Sequence, residues 1–214
     1  MLDSQEFYLG RWGEIILVGL LLADGWSIVT TCDYSGADGE HAPVMHQLEA
    51  NTAVVLPDID AAKSRIRASV EAKAKRQAIE WRKTGRRQHG FDRRQLTHYR
   101  RHEQVTGAPV VIGVVELDTG EVLCNTLRGL GEPRFSDPET GWDMANWDRT
   151  KFRVAWRLNP RRLQKFVFDD GVVRRPPAAI PFRKLPAMCA YLRPEQADLP
   201  LLIFDVVAQA GGLA

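Results

Sequence analysis

The chain has 214 residues, of which 44% are hydrophobic and 26% charged, which fits one globular domain with extensions and a hydrophobic core of its own. Its net charge of +2 excludes a uniform polycation, so affinity for nucleic acid would have to come from a local concentration of basic residues. Cys32, Cys124 and Cys189 show no metal-binding spacing, which disfavours zinc and predicts reduced thiols in the cytoplasm.

Neither a signal peptide nor a transmembrane helix is predicted. The first residues lack the basic start of a signal peptide. The apolar run over residues 15–23 is shorter than the roughly 20 residues that a membrane-spanning helix needs. We therefore expect a cytoplasmic protein that makes no membrane contact.

The first predicted element is a helix over residues 10–23 that is apolar on nearly all sides and therefore buried. Glu14 interrupts its apolar sequence, and a buried carboxylate costs several kcal/mol unless it is paired or bound to a metal. Two interpretations stay open for Glu14. It is either a first-turn acid near solvent, which the helix dipole favours, or a buried residue of a functional site.

Two strands are predicted next, over residues 26–31 and 51–56, because both segments are rich in β-branched residues and end at turn residues. Pro57 closes the second strand, since proline cannot donate to a central β-ladder. Asp58 then lies just past the strand end, which is a usual position for a functional side chain. Asp60 competes with it, two residues farther along.

A third strand is predicted over residues 65–73, where the side chains alternate between two faces. One face carries Ile66, Ala68, Val70 and Ala72, and the other carries Arg65, Arg67, Ser69, Glu71 and Lys73. Glu71 and Lys73 therefore share a face. With Asp58 arriving from a preceding turn, this arrangement suits Mg²⁺, which binds one or two carboxylates plus waters and phosphate. The other interpretation is an exposed edge strand whose charges point to solvent and prevent aggregation.

Basic residues are concentrated between residues 63 and 101, where fourteen Lys or Arg accompany three acids. We therefore expect a positive surface in this part of the protein. Residues 74–90 are interpreted as a partly helical excursion or a mobile loop. Trp81 and His89 are interleaved with Arg and Lys, as on surfaces that follow a phosphate backbone, although a charge run more often forms a solvated face.

A second helix is predicted over residues 92–106, with Asp92 as its N-cap and Gly107 at its end. Gln95 and Tyr99 are four residues apart and therefore lie on one face of this helix.

The chain then returns to strands. The apolar run over residues 108–116 predicts a strand buried on both faces, and a turn at 118–120 leads to a hairpin partner over residues 121–127. Residues 151–158 alternate as a further strand. Residues 200–208 are apolar and predict a strand or helix that packs the C-terminus onto the domain.

The spacing of the polar residues resembles a known enzyme family. Pro57-Asp58 followed by Glu71-Ala-Lys73 is similar to the signature of the PD-(D/E)xK nuclease superfamily. Gln95-x-x-x-Tyr99 is similar to the QxxxY motif of its RecB-type, exonuclease-like branch. The resemblance covers roughly residues 10–127 and implies an α/β fold, in which a mixed central β-sheet is flanked by helices (the αβββαβ, restriction-endonuclease-like core).

The resemblance also implies a domain organisation. Residues 1–127 would form the nuclease-like core, and residues 128–214 a C-terminal extension that packs on it within a single domain. The chain departs from the family pattern in the basic insertion over residues 75–90, which affects the loop geometry and the form of substrate expected.

The roles that the resemblance implies fall into three groups. The metal ligands for Mg²⁺ or Mn²⁺ would be Glu14, Asp58, Glu71 and the carbonyl oxygen of Ala72. The catalytic residues would be Asp58, Glu71, Lys73, Gln95 and Tyr99, with Lys73 holding or deprotonating the attacking water. The nucleic-acid-binding residues would be Arg82, Lys83, Arg86, Arg87, Arg93, Arg94, Arg100 and Arg101.

The expected function is therefore metal-dependent hydrolysis of phosphodiester bonds in nucleic acid. DNA is the favoured partner, exonuclease action is favoured over endonuclease action, and a homo-oligomer is compatible with the sequence. The alternative is a non-catalytic nucleic-acid-binding or structural protein that retains the nuclease fold.

Overall fold

The computed structural model of the protein describes residues 4–30, 44–47, 52–81, 84–136, 143–177 and 184–196. Several positions singled out above lie outside these residues, namely Cys32, Arg82, Lys83 and the segment 200–208.

The helices and strands of the described residues are numbered in chain order. The helices are α1 (Ser4–Ala23), α2 (Arg93–Thr106), α3 (Leu127–Leu130), α4 (Pro160–Val167) and α5 (Leu185–Tyr191), with a 3₁₀ helix over Arg149–Lys151. The first strands are β1 (Ser27–Thr30), β2 (Val44–Gln47), β3 (Thr52–Val55), β4 (Ile59–Lys63), β5 (Ile66–Lys75), β6 (Ile79–Trp81) and β7 (Arg86–Asp92). The later strands are β8 (Val110–Glu116), β9 (Glu121–Thr126), β10 (Arg134–Phe135), β11 (Met144–Asp148), β12 (Arg153–Arg157), β13 (Phe168–Asp169), β14 (Val172–Val173) and β15 (Glu195–Gln196).

A seven-stranded mixed sheet forms the centre of the protein, in the order β1-β4-β5-β8-β9-β12-β15. β5 runs parallel to β8, and the other neighbours pair antiparallel. All seven residues of β8 are buried, which is why this strand reads as a continuous apolar run in the sequence. The predicted fold class, an α/β protein with a mixed central sheet flanked by helices, is confirmed.

Helix α1 covers one face of the central sheet. Val70, Ala72 and Ala74 of β5 belong to the same buried cluster as the apolar side chains of α1. Two glycines allow the close approach: a Cβ on Gly13 would lie 2.9 Å from the backbone nitrogen of Ala74, and a Cβ on Gly113 would lie 2.7 Å from a methyl group of Leu17. The helix is therefore held in a fixed position against β5 and β8.

The opposite face is covered by α2 and by a second sheet in the order β10-β11-β7-β6. The caps of α2 are as predicted. Asp92 Oδ1 accepts a hydrogen bond from the backbone N–H of Arg94 at 2.7 Å, and Gly107 adopts the left-handed conformation with φ of 70°.

Two predictions of secondary structure need correction, one for a strand and one for a loop or partly helical segment. Residues 51–56 do not supply the second strand of the central sheet, because β3 pairs with β2 in a separate hairpin. That place belongs to β4, in which Ile59 and Ala61 alternate inward after the break at Pro57. Residues 74–90 are not helical where they are described, and most of them belong to the end of β5 and to the paired strands β6 and β7.

The C-terminal part of the chain adds to the same architecture. β12 and β15 pair into the central sheet, and α5 packs on α1. Cys124 and Cys189 are both buried free thiols. None of the helices in the described residues combines the length and apolar character that a membrane crossing requires.

Candidate active site

Strand β5 places the two charged motif residues side by side. The α1-facing side chains are Val70 and Ala72, so Glu71 and Lys73 point to the opposite face, beneath α2. The carboxylate of Glu71 and the ammonium of Lys73 form an ion pair. Glu71 is only 1% exposed, so the alternative of an outward-facing edge strand does not describe this residue.

Asp58 reaches the same strand from its edge. β4 begins at Ile59, opposite Val70, so β5 extends beyond its antiparallel neighbour from Glu71 onward. Asp58 occupies this open edge, and its Oδ2 accepts a hydrogen bond from the backbone N–H of Ala72 at 2.9 Å. The second predicted carboxylate is therefore brought to the strand that carries Glu71.

The carbonyl oxygen of Ala72 points to that edge as well. Ser69 donates its backbone N–H to Pro109 at 3.0 Å, and the carbonyl of Lys75 accepts from Leu117 at 2.9 Å, so alternate residues of β5 bond toward β8. The N–H and C=O of one strand residue point the same way, and those of the intervening residues point the other way. Because the N–H of Ala72 faces Asp58, its carbonyl does too.

Charge interactions couple these groups. The pKa of Asp58 is well above its ordinary value, chiefly because of burial and further because of the negative charges of Glu71 and Glu14. Burial opposes the protonation of Lys73, but the carboxylates of Glu71 and Asp58 outweigh it and raise the pKa of this lysine. Without a bound cation, the carboxylates of Asp58 and Glu71 thus both interact with the single ammonium of Lys73, and ionisation of the Asp58 carboxyl is unfavourable.

The donor set fits a divalent cation. Glu71 Oε2 is buried and has no hydrogen-bond partner in the described part of the chain, which is costly for a carboxylate oxygen. Carboxylate and carbonyl oxygens are the ligands that Mg²⁺ prefers, and this ion keeps several waters. Among the described residues, no three His, Cys, Asp or Glu side chains are grouped closely enough to hold a metal. The chain would therefore offer Asp58, Glu71 and the Ala72 carbonyl, with water and phosphate oxygens completing the shell.

Glu14 lies at the border of this group. Helix α1 begins at Ser4, so Glu14 is in the middle of the helix and its interpretation as a first-turn acid is wrong. It is 9% exposed and forms an ion pair with Arg11 at 2.9 Å. Its charge acts on Asp58 and Lys73, so it contributes to the electrostatics of the site.

Gln95 and Tyr99 lie on the helix that covers this face. His102 Nε2 is 2.9 Å from Ser69 Oγ, on the same face of β5 as Glu71, which fixes α2 over the strand. Tyr99 is buried in the core beneath α2, and Gln95 is half-buried one turn closer to the helix start. The predicted QxxxY pair therefore points toward the sheet, on the stripe that continues from His102.

Six of the predicted basic residues are described by the structure, and they lie at the surface around α2 and β7, namely Arg86, Arg87, Arg93, Arg94, Arg100 and Arg101. Their described partners are Asp148 for Arg86, Gln77 for Arg87, Asp143 for Arg93, Asp92 for Arg94 and Glu132 for Arg100. Arg93 also stacks on Phe135 at 4.5 Å. Exposed ion pairs contribute about 0–1 kcal/mol, so the partners of Arg86, Arg93, Arg94 and Arg100 hold these arginines only weakly.

One residue expected on that surface is not there. His89 is 2% exposed, and its Nε2 lies 2.9 Å from Glu116 Oε1, so the prediction that it tracks phosphates is wrong. The inward face of β7 carries His89 and Phe91 into the core, where Glu116 also binds Arg149 through both oxygens. This network could not be predicted from the sequence, in which its only signal is an acid at the end of an apolar strand.

Fold and site together define a mixed α/β protein with a buried acid–base pair on a central strand and a carboxylate at its open edge. No family model matches the sequence, and no curated protein matches it either. Among solved structures, the chain is similar to that of Hjc, a Holliday junction resolvase from the archaeal hyperthermophile Archaeoglobus fulgidus. The two are 14% identical, with 67% of this chain and 91% of that chain covered and a TM-score of 0.45. A likeness at this level carries no information on activity.

Proposed function

We propose that the protein is a metal-dependent nuclease of the PD-(D/E)xK type, which hydrolyses phosphodiester bonds in nucleic acid, with DNA as the favoured substrate. One observation carries the proposal above all others. Glu71 Oε2 is a buried carboxylate oxygen without a hydrogen-bond partner in the described residues, beside a second carboxylate and an ammonium. A cation would satisfy that oxygen.

The residues present account for most needs of phosphodiester hydrolysis. Asp58, Glu71 and the Ala72 carbonyl would hold Mg²⁺ or Mn²⁺, which when bound lowers the pKa of water and neutralises charge on the phosphate. Lys73 forms an ion pair with Glu71, and the carboxylates of Glu71 and Asp58 raise its pKa. It would hold the attacking water and balance the negative charge of the phosphate.

The surrounding residues have supporting roles. Glu14 adds negative potential at the cation, and Gln95 and Tyr99 orient the site from α2. The arginines around α2 and β7 bind the phosphates of the nucleic acid backbone and do not contribute sequence specificity. The QxxxY pair favours a RecB-type exonuclease over a dimeric endonuclease. Covalently closed circular DNA separates the two, because an exonuclease needs an end and leaves the circle intact.

A second candidate function is a nucleic-acid-binding protein that does not cleave. The ion pair between Glu71 and Lys73 favours it, since one carboxylate oxygen of Glu71 is already occupied. In that case the pair would serve stability alone.

A cleavage assay tests the proposal. Purified protein is incubated with end-labelled linear DNA in Mg²⁺, in Mn²⁺ and in EDTA. We expect cleavage with either metal, none in EDTA, and loss of cleavage in Glu71→Gln. Glu80→Gln is the matched control, because Glu80 is exposed on β6. Metal-independent cleavage, or full activity in Glu71→Gln, contradicts the proposal, and binding without cleavage supports the second candidate.

A further inference from the structure

Strand β5 carries one more charged residue on the face that holds Glu71 and Lys73. The strand extends to Lys75, which is two residues past Lys73 and therefore points to the same side. Exposure along this face rises toward the carboxyl end of the strand. The side chain of Glu71 is 2% exposed, that of Lys73 is 24% exposed, and Lys75 is half-buried beyond them. Lys75 therefore lies where this face opens to solvent.

Glu116, the acid paired with Lys75 in the sheet, has no hydrogen-bond acceptor position left for the Lys75 ammonium. Lys75 is in register with Glu116 of the parallel strand β8. Glu116 Oε1 is 2.9 Å from His89 Nε2 and accepts from Arg149 Nε at 2.8 Å. Its Oε2 accepts from Arg149 Nη2 at 2.7 Å and from Thr119 Oγ1 at 3.0 Å. A carboxylate has about four acceptor positions, so Glu116 is saturated by these partners.

Lys75 consequently keeps an ammonium that no acid within 4 Å neutralises in the described part of the chain. It forms no ion pair with any of the described residues, whereas Lys73 is paired with Glu71. Burial and the repulsion from Lys73 lower the pKa of Lys75, and Glu6 of α1 attracts it only from a distance greater than that of an ion pair. A half-buried cation without a counter-ion is unfavourable, and an anionic ligand would relieve it.

We propose that Lys75 binds a phosphate of the nucleic acid strand next to the phosphate held at Lys73, and so sets the position of the strand in the active site. Two residues along a strand span about 6.6 Å, which is similar to the distance between neighbouring phosphates of a nucleic acid strand. The site for this phosphate lies on the route from solvent to Glu71. The inference rests on the proposed function for the identity of the ligand.

Binding and salt dependence test the inference without requiring cleavage. The probe is a fluorescein-labelled DNA duplex, bound in EDTA at several salt concentrations. Lys75→Gln and Lys75→Met should each reduce the slope of log K against log salt by about 0.9, the value for one lost phosphate contact on duplex DNA. Lys75→Arg should keep the wild-type slope. Lys165→Gln is the matched control, since Lys165 is exposed on α4, which packs on the opposite face of the sheet.

Steady-state kinetics add a second readout. A phosphate contact made equally in the ground and transition states raises KM and leaves kcat unchanged. We expect KM to rise roughly tenfold in Lys75→Gln, as for a lost charge-assisted hydrogen bond. A wild-type slope and KM in whichever charge-removing variant folds would overturn the inference and leave the nuclease proposal intact. Wild-type protein that binds DNA but never cleaves it would refute the nuclease proposal, while the slope still decides the role of Lys75.

Discussion

Asp58 Oδ2 lies 2.9 Å from the backbone nitrogen of Ala72, and this hydrogen bond joins the two halves of the candidate site. Ala72 stands between Glu71 and Lys73, so the bond ties the turn before β4 to the motif residues of β5. Because the Asp58 carboxylate accepts a hydrogen bond from the backbone of β5, one of its oxygens is held at a fixed position relative to that strand.

The raised pKa of Asp58 predicts a pH-dependent gain in stability for Asp58→Asn. An acid whose pKa is higher in the folded than in the unfolded protein binds more protons when folded, so its contribution to stability falls as pH rises above about 3.9. Asparagine cannot ionise. In EDTA, Asp58→Asn should therefore be more stable than the wild type at pH 7, and the difference should shrink toward pH 4. Urea unfolding at both pH values measures the difference in free energy of unfolding between Asp58→Asn and the wild type. A difference that is the same at pH 4 and pH 7 would contradict a raised pKa of Asp58.

Because Glu71 and Lys73 form an ion pair, substitutions of these two residues should have non-additive effects on the free energy of unfolding. Lys73→Met leaves a buried carboxylate unpaired, and breaking a buried pair from one side costs about 3–5 kcal/mol. Lys73 is 24% exposed, so we expect the lower end of this range or less. Glu71→Gln with Lys73→Met removes both charges and should recover most of the loss. Losses for Glu71→Gln and Lys73→Met that add up to the loss for the double variant would show that the pair is not coupled.

The hydrogen bonds of Glu116 with His89 and Arg149 predict that the folded protein loses stability at acidic pH. The pKa of Glu116 is lowered, because its hydrogen bonds from His89 and Arg149 outweigh the effect of burial. Its contribution to stability is therefore present above the ordinary carboxyl pKa of about 4.3 and is lost as pH falls below it. Glu116→Gln should lower the free energy of unfolding by roughly 3–5 kcal/mol at pH 7 and by less at pH 3. Glu121→Gln is the control, since Glu121 shares Arg149 but is more exposed. A Glu116→Gln loss that is the same at both pH values would contradict the account.

The basic surface predicts steep salt dependence of DNA binding. Each phosphate contact contributes about 0.9 to the slope of log K against log salt for duplex DNA. Arg87→Gln and Arg94→Gln should each reduce the slope by about that amount, with little change in sequence preference. Arg161→Gln on α4 is the matched control, because that helix packs on the other face of the sheet. An affinity insensitive to salt would place the binding surface elsewhere.

Elements with a local signal could be predicted from the sequence. The alternation in β5, the continuous apolar run of β8 and the two caps of α2 each follow from side-chain chemistry within a few residues. The resemblance to the nuclease signature predicts that Asp58, Glu71 and Lys73 form one group, and the structure brings these three residues together.

Features that depend on tertiary contacts could not be predicted in this way. β3 and β4 are both short strands next to Pro57, and only pairing decides that β4 joins the central sheet. The β6–β7 hairpin has the composition of a solvated loop, and its structure comes from pairing with β11. His89 is surrounded by basic residues in sequence but faces Glu116 across the core, a relationship that no local pattern contains.

The central claim is that Asp58 and Glu71 together bind a divalent cation, and calorimetric titration with Mn²⁺ tests it most directly. We expect the wild type and Glu80→Gln to bind about one ion per chain, and Glu71→Gln and Asp58→Asn to show no measurable binding. Wild-type protein that binds no Mn²⁺, or a Glu71→Gln variant that binds it as tightly as the wild type, would contradict the claim.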